Sequence, residues 1–180
     1  MRADAARNLD AVLQAGARLL AEDPGASVAA IATAAGVDRR TVYRRFPNRD
    51  ALLCGVFQAK LDAFDDVLTQ SRLTEAPVGV ALHKFVEGAV AVVRSYPVSN
   101  DQMDSSSSVF QRFVEQRARV EAFLRRAADE GLIRADLPDG MAWALLYEIV
   151  NLVARQFSDL ETGRAADLAV EVLLGGVGSS

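Results

Sequence analysis

Five arginines fall within eleven positions of this chain, Arg39, Arg40, Arg44, Arg45 and Arg49, with Thr41 and Tyr43 between them. The chemistry open to such a set is recognition of a polyanion. A guanidinium is a planar fork of donors that fits a phosphate, or the O6 and N7 edge of guanine in a DNA major groove. Threonine and tyrosine hydroxyls donate to phosphate oxygens. The cluster stands out because the 180-residue chain is acidic overall, with a net charge of −4. Residues 1–60 carry net +3 and residues 61–180 net −7. A basic end on an acidic body suits nucleic acid, since local charge density governs that contact. The competing reading of any charge run is a solvated face, and the geometry of the element beneath it separates the two.

That element reads as a short helix. At about 100° per residue, with Arg39 set at 0°, Val42 falls near 300° and Phe46 near 340°. These two make an inner, apolar face. Arg40, Thr41, Tyr43, Arg44 and Arg45 spread over the opposite arc. Asp38 caps the helix start and Pro47 stops it. Before it comes another short helix, capped by Ser27, with Val28, Ile31, Ala32 and Ala35 inward. Gly36 sits between the two, where a helix ends in a left-handed conformation that glycine tolerates. Helix, glycine turn, basic helix is a helix-turn-helix pattern. Ser27 offers a hydroxyl beside exposed backbone N–H groups, a phosphate site. Arg49, at the start of the next helix, reaches the flanking DNA backbone.

The remaining pattern is helical almost throughout. Leu9, Val12, Leu13, Gly16, Leu19 and Leu20 recur at spacings of three and four, predicting a first helix from about Asp4 to Glu22. Asn48 caps a long helix striped with Leu52, Leu53, Val56, Phe57, Leu61, Phe64 and Leu68. Pro77 opens a helix that reaches about Ser95 and ends at Tyr96-Pro97. Residues 99–108 are poor in apolar side chains and read as a mobile loop or a frayed helix start. Helices follow over about Val109–Gly131, from Pro138, and over about Arg164–Leu174. Gly175-Gly176 ends the last, and a loose Gly/Ser tail follows. No strand and no repeat is expected. The fold class is all-α, with a helix-turn-helix domain over residues 1–47 and a helical domain over 48–180.

Several chemistries lack their residues. One cysteine, Cys54, permits neither an internal disulfide nor a cysteine metal cluster, and it reads as a small buried residue. One histidine, His83, leaves no Ser/His/Asp set. With no glycine-rich phosphate loop and no paired histidines on a helix, no enzyme, metal or cofactor is expected. The first ten residues lack an apolar signal segment, and no run of eighteen apolar residues suggests a membrane span. The expected compartment is the bacterial cytoplasm, with the nucleoid when bound to DNA.

Ser27 to about Leu61 closely resembles the DNA-binding domain of the TetR family of tetracycline-repressor-like regulators. Ala34-Ala35-Gly36-Val37, Thr41-Val42-Tyr43, Phe46-Pro47-Asn48 and Asp50-Ala51-Leu52 fit its pattern. The stretch from Gly131 to Leu137 resembles the family's lead into its dimerisation helices. The resemblance implies an all-helical homodimer in which three N-terminal helices bind DNA and a fourth links them to a ligand-binding and dimerisation domain. It implies phosphate contacts at Ser27, Thr41, Tyr43 and Arg49. Arg39, Arg40 and Arg45, with Arg44, would touch base edges or both. Ala29 stands where some members carry a base-reading residue, which leaves more of the specificity to the arginines, and basic residues at both Arg39 and Arg40 suggest G-rich half-sites.

In the C-terminal portion, His83, Met103, Phe110, Phe113, Trp143 and Tyr147 are candidates to line a pocket for an apolar or aromatic effector. Trp143 and Tyr147 lie one helical turn apart. Met141, Leu145, Leu152, Val153, Leu168, Val172 and Leu173 are candidates for a dimer interface. For both sets the competing reading is ordinary core packing. The functional expectation is a ligand-responsive repressor that binds a palindromic operator as a homodimer. The alternatives are an activator or ligand-independent regulator of the same architecture, and a non-catalytic helical module that docks protein.

Overall fold

The computed structural model describes residues 2–177. Among these, eight α-helices run in chain order: α1 Arg2–Glu22, α2 Val28–Ala34, α3 Arg39–Arg45, α4 Arg49–Ser71, α5 Val78–Ser95, α6 Ser108–Asp129, α7 Met141–Gln156 and α8 Thr162–Val177. A single 3-10 turn, Asn100–Gln102, lies between α5 and α6. The architecture is all-α, as the periodicity predicts. The Gly175-Gly176 pair does not end α8, which continues to Val177. The expected loose tail beyond it lies outside the described residues.

The chain forms two compact units. The first takes the residues up to Leu61 together with Ser95–Phe110, and the second takes Asp62–Arg94 with the residues from Gln111 onward. The division falls inside α4 and α6.

In the first unit, the apolar stripe of α1 (Val12, Leu13, Ala17, Leu20) is buried, as are Ile31 and Ala32 of α2, Val42 of α3 and Leu52, Val56 and Leu61 of α4. Burying each leucine or valine side chain contributes roughly 1.5–3 kcal/mol. Gly55 shows why a small residue is required on α4: a Cβ there would lie 2.7 Å from the Phe46 ring, which packs across it. Cys54 is exposed rather than buried. It follows Leu53 directly, and a step of about 100° carries it off the inner face of α4.

The start of the segment after α5 is held by hydrogen bonds. Lys60, 3% exposed, donates from Nζ to the Val98 carbonyl at 2.8 Å and to Asn100 Oδ1 at 2.9 Å. Gln102 Nε2 donates to the Leu20 carbonyl at 3.3 Å. Val98 and Met103 are buried. Polar side chains tie Val98, Asn100 and Gln102 to α1 and α4, while residues 104–106 are exposed.

In the second unit, α5 contributes Leu82, Phe85, Val86 and Val90 to one core, α6 Phe123 and Leu124, α7 Leu146 and Val150, and α8 Ala165, Ala166, Ala169 and Leu173. Alanines on the inner face of α8 let its backbone approach its neighbours closely. An ion-pair network joins α6 to the end of α4: Arg112 binds Asp62 at 2.6 Å and Asp65 at 2.5 Å, and Arg119 reaches Asp65 at 3.3 Å. Burial pushes the Asp65 pKa up, but the hydrogen bonds from Arg112 and Gln116 and the charges of Arg112 and Arg119 outweigh it and hold the carboxyl below its usual value. Arg126 closes the α4–α5 connection by donating to the Leu73 and Ala76 carbonyls at 2.8 and 2.9 Å.

Candidate nucleic-acid interface

Local hydrogen bonds build the two-helix motif. The Ala30 N–H donates to Ser27 Oγ at 3.1 Å, starting α2. Gly36 takes φ +66°, and the Val37 N–H returns to the Ala32 carbonyl at 3.0 Å, closing the helix end. Asp38 Oδ1 accepts from the Thr41 N–H at 3.1 Å and starts α3, and Asn48 Oδ1 accepts from the Ala51 N–H at 2.8 Å and starts α4.

This frame turns α3 as its periodicity predicts. Val42 and Phe46 are 2% and 7% exposed, while Arg39, Arg40, Thr41, Tyr43, Arg44 and Arg45 all face outward. Arg40, Arg44 and Arg45 make no hydrogen bond or ion pair among the described residues. Their donors are therefore available to a partner. Arg39 makes one long contact, Nη2 to Thr33 Oγ1 at 3.4 Å, which leans it toward α2. Arg44 and Arg45 occupy the last turn of α3, where cations complement the helix dipole. Ser27 Oγ is occupied as an acceptor by Ala30, which leaves its O–H free to donate outward, the polarity a phosphate oxygen needs.

Arg49 is placed differently. Its Nε donates to the Pro24 carbonyl at 2.7 Å and its Nη1 lies 3.3 Å from Asp50. The side chain fastens the α1–α2 turn to the start of α4, and Nη2 is what it has left for a phosphate. That structural bond crosses twenty-five residues and leaves no local signal in the sequence.

The effector candidates divide. Met103 and Phe110 belong to the first unit, and His83, Phe113, Trp143 and Tyr147 to the second. Trp143 and Tyr147 come together, with ring centroids 5.7 Å apart and tilted by 36°. His83 is paired instead, its Nε2 lying 2.7 Å from the Asp167 carboxylate, a link from α5 to α8. Arg117, not foreseen at this position, sits 5.7 Å from the Trp143 ring centroid.

The interface candidates divide as well. Met141, Leu145 and Leu152 are 42%, 38% and 45% exposed and line one stripe of α7, and Val172 of α8 is 55% exposed. Leu168 is half-buried. Val153 and Leu173 point inward, 7% and 2% exposed, and are core residues of the second unit. No helix among the described residues is long and apolar enough to cross a membrane.

An all-helical chain with a basic, outward-facing recognition helix on a helix-turn-helix is a DNA-binding regulator, and the relatives agree. Residues 12–55 match the family described as bacterial regulatory proteins, tetR family. Over 149 residues, covering 78% of this chain and 76% of the relative, the sequence is 32% identical to the HTH-type transcriptional repressor LfrR of Mycolicibacterium smegmatis. The chain belongs to the TetR family. Its function is that of a DNA-binding transcriptional regulator, and the family is not catalytic. Solved structures share the fold: the TetR-like regulator LfrR from Mycobacterium smegmatis in complex with proflavine has a TM-score of 0.76 at 23% identity, covering 98% of this chain and 99% of that one. The ketosteroid transcriptional regulator KstR2 of Mycobacterium tuberculosis also has a TM-score of 0.76, at 17% identity and 94% coverage of both chains.

Proposed function

We propose that this regulator is a ligand-responsive repressor that acts as a homodimer on a palindromic operator in the bacterial cytoplasm. Residues 1–47 read the DNA, and residues 48–180 hold effector and partner subunit. The observation that carries the DNA side is the outward set Arg40, Arg44 and Arg45, unpaired on a helix anchored by Val42 and Phe46. In a dimer, two copies of α3 enter successive major grooves about 34 Å apart. Ser27, Thr41, Tyr43 and Arg49 hold phosphates, and Arg39, Arg40, Arg44 and Arg45 read base edges, favouring guanine-rich half-sites.

The exposed stripe Met141, Leu145 and Leu152 on α7, with Val172 on α8, supports dimerisation, because a second copy of the same stripe covers it isologously. The named function of LfrR as a repressor, and its complex with proflavine, support repression relieved by an apolar or aromatic effector. The effector works by a population shift: it binds better to a conformer of the second unit in which α4, running through both units, moves the two recognition helices off their groove spacing.

Selection of bound sequences from a pool of random duplex DNA at two salt concentrations tests the reading. The expected result is an enriched palindrome whose binding weakens steeply with salt, since several phosphates release counterions. Weak, unselective binding at both salts would rule it out.

A further inference from the structure

In the second unit a groove of about 680 Å³ runs between the C-terminal half of α6, the connection after it and the start of α7. Its volume falls in the range of about 300–1,000 Å³ typical of small-molecule sites. The floor is apolar, with Leu124 and Ile133 both buried, and the wall is Trp143 backed by Tyr147. Three guanidiniums line it, Arg117, Arg125 and Arg134, against two carboxylates, Glu121 and Asp139.

The pairing of these charges decides what the groove accepts. Glu121 is taken by Arg117, whose Nε donates to it at 2.8 Å, and Arg134 is taken by Asp136 at 2.9 and 2.8 Å. Arg125 makes no hydrogen bond or ion pair among the described residues, and neither Nη of Arg117 donates one. Asp139 is the lining carboxylate without a partner. With Arg117–Glu121 and Arg134–Asp136 each cancelling, the groups left open at the groove are Arg125, the Nη donors of Arg117 and Asp139. The open donors sit on two guanidiniums, Arg117 and Arg125, against a single open carboxylate, Asp139.

From this juxtaposition we propose that the groove at Trp143 is the effector site and that it takes a small aromatic monocarboxylate. The ring lies against Trp143 over the Leu124 and Ile133 floor, and the carboxylate meets the free donors of Arg117 and Arg125. This assignment rests on the ligand-responsive reading above and deepens it. Stacking on an indole favours an aromatic ring, and charge-assisted hydrogen bonds from guanidinium favour the carboxylate over a neutral isostere.

Naphthoate and its neutral analogue naphthylmethanol are the probes. The chain has one tryptophan, so the indole N–H of ¹⁵N-labelled full-length protein gives one resonance that reports on the groove alone. Naphthoate is expected to shift that resonance saturably, to bind at least about tenfold more tightly than naphthylmethanol, and to weaken operator binding. Arg117→Gln and Arg125→Gln are each expected to remove most of that preference, and Arg125→Lys to restore part of it. Equal binding of the two probes, or full naphthoate affinity in the double glutamine variant, would overturn the proposal. A saturable indole shift with unchanged operator affinity would overturn the effector role. Operator binding by the ligand-free protein is measured in parallel: its absence would count against the regulatory reading, independently of whether the groove binds naphthoate.

Discussion

The ammonium of Lys60 donates to the carbonyl of Val98 at 2.8 Å, thirty-eight residues along the chain, with both residues buried in the first unit. A buried charge is tolerated only when its donors are satisfied, and Asn100 takes a second. The bond makes the start of the segment after α5 part of the first unit. Lys60→Met keeps the length of the side chain and leaves both acceptors without this donor. It is expected to lower unfolding free energy by about 2 kcal/mol, read from guanidinium chloride unfolding. No loss would show that water replaces the ammonium at no cost.

Arg40, Arg44 and Arg45 have no partner within the described residues, so replacing them should disturb binding and not folding. Alanine at a residue that holds phosphate should weaken binding evenly across operator variants and reduce the slope of log K against log salt by about 0.9. Alanine at a residue that reads guanine should cost about 1–3 kcal/mol and relax specificity at one base pair. Binding isotherms on the selected operator and its single-base variants, at three or more salt concentrations, assign each arginine to one role.

Leu152 is 45% exposed on α7, beside Leu145 and Met141. Leu152→Glu places a carboxylate in that stripe at little cost to the protomer. Light scattering should then report a monomer with unchanged circular dichroism and an operator affinity lowered by at least about tenfold, as expected when two half-sites are no longer bound together. A variant that stays dimeric would move the interface elsewhere.

Asp65, held by Arg112, Gln116 and Arg119, has its pKa lowered in the folded protein. The sign follows from linkage. The contribution is fully present above the unfolded-state value of about 3.9 and is lost as pH falls through the lower folded-state value. Thermal stability should therefore drop on acidification below about pH 4, and Asp65→Asn should flatten that part of the profile while lowering stability at neutral pH. An unchanged acid limb in the variant would show that other carboxylates set it.

Gly36 holds φ +66° with nothing within 4 Å of where a Cβ would stand, so a side chain there meets strain and no clash. Gly36→Ala is expected to cost about 1–2 kcal/mol in thermal unfolding, the penalty of a left-handed L-residue. A stabilised variant would mean that the loss of unfolded-state entropy outweighs the strain.

The helix-turn-helix was legible in the sequence because everything that builds it acts over three or four residues. Ser27, Asp38 and Asn48 each cap the helix that follows, Gly36 supplies the turn, and Val42 and Phe46 share one face of α3 by helical period alone. Membership of the TetR family, carried by the same stretch, extended that reading to the rest of the chain. The second half of α7 shows where local rules stop. Leu152 and Val153 are adjacent and both apolar, yet Leu152 faces out and Val153 enters the core. A helix with apolar residues on more than one face has no single inward direction until its neighbours pack against it. The bonds from Lys60 to Val98, Arg49 to Pro24 and Arg112 to Asp65 span twenty-five to forty-seven residues. No local preference encodes such pairs, because each exists only once helices distant in the chain have been brought side by side.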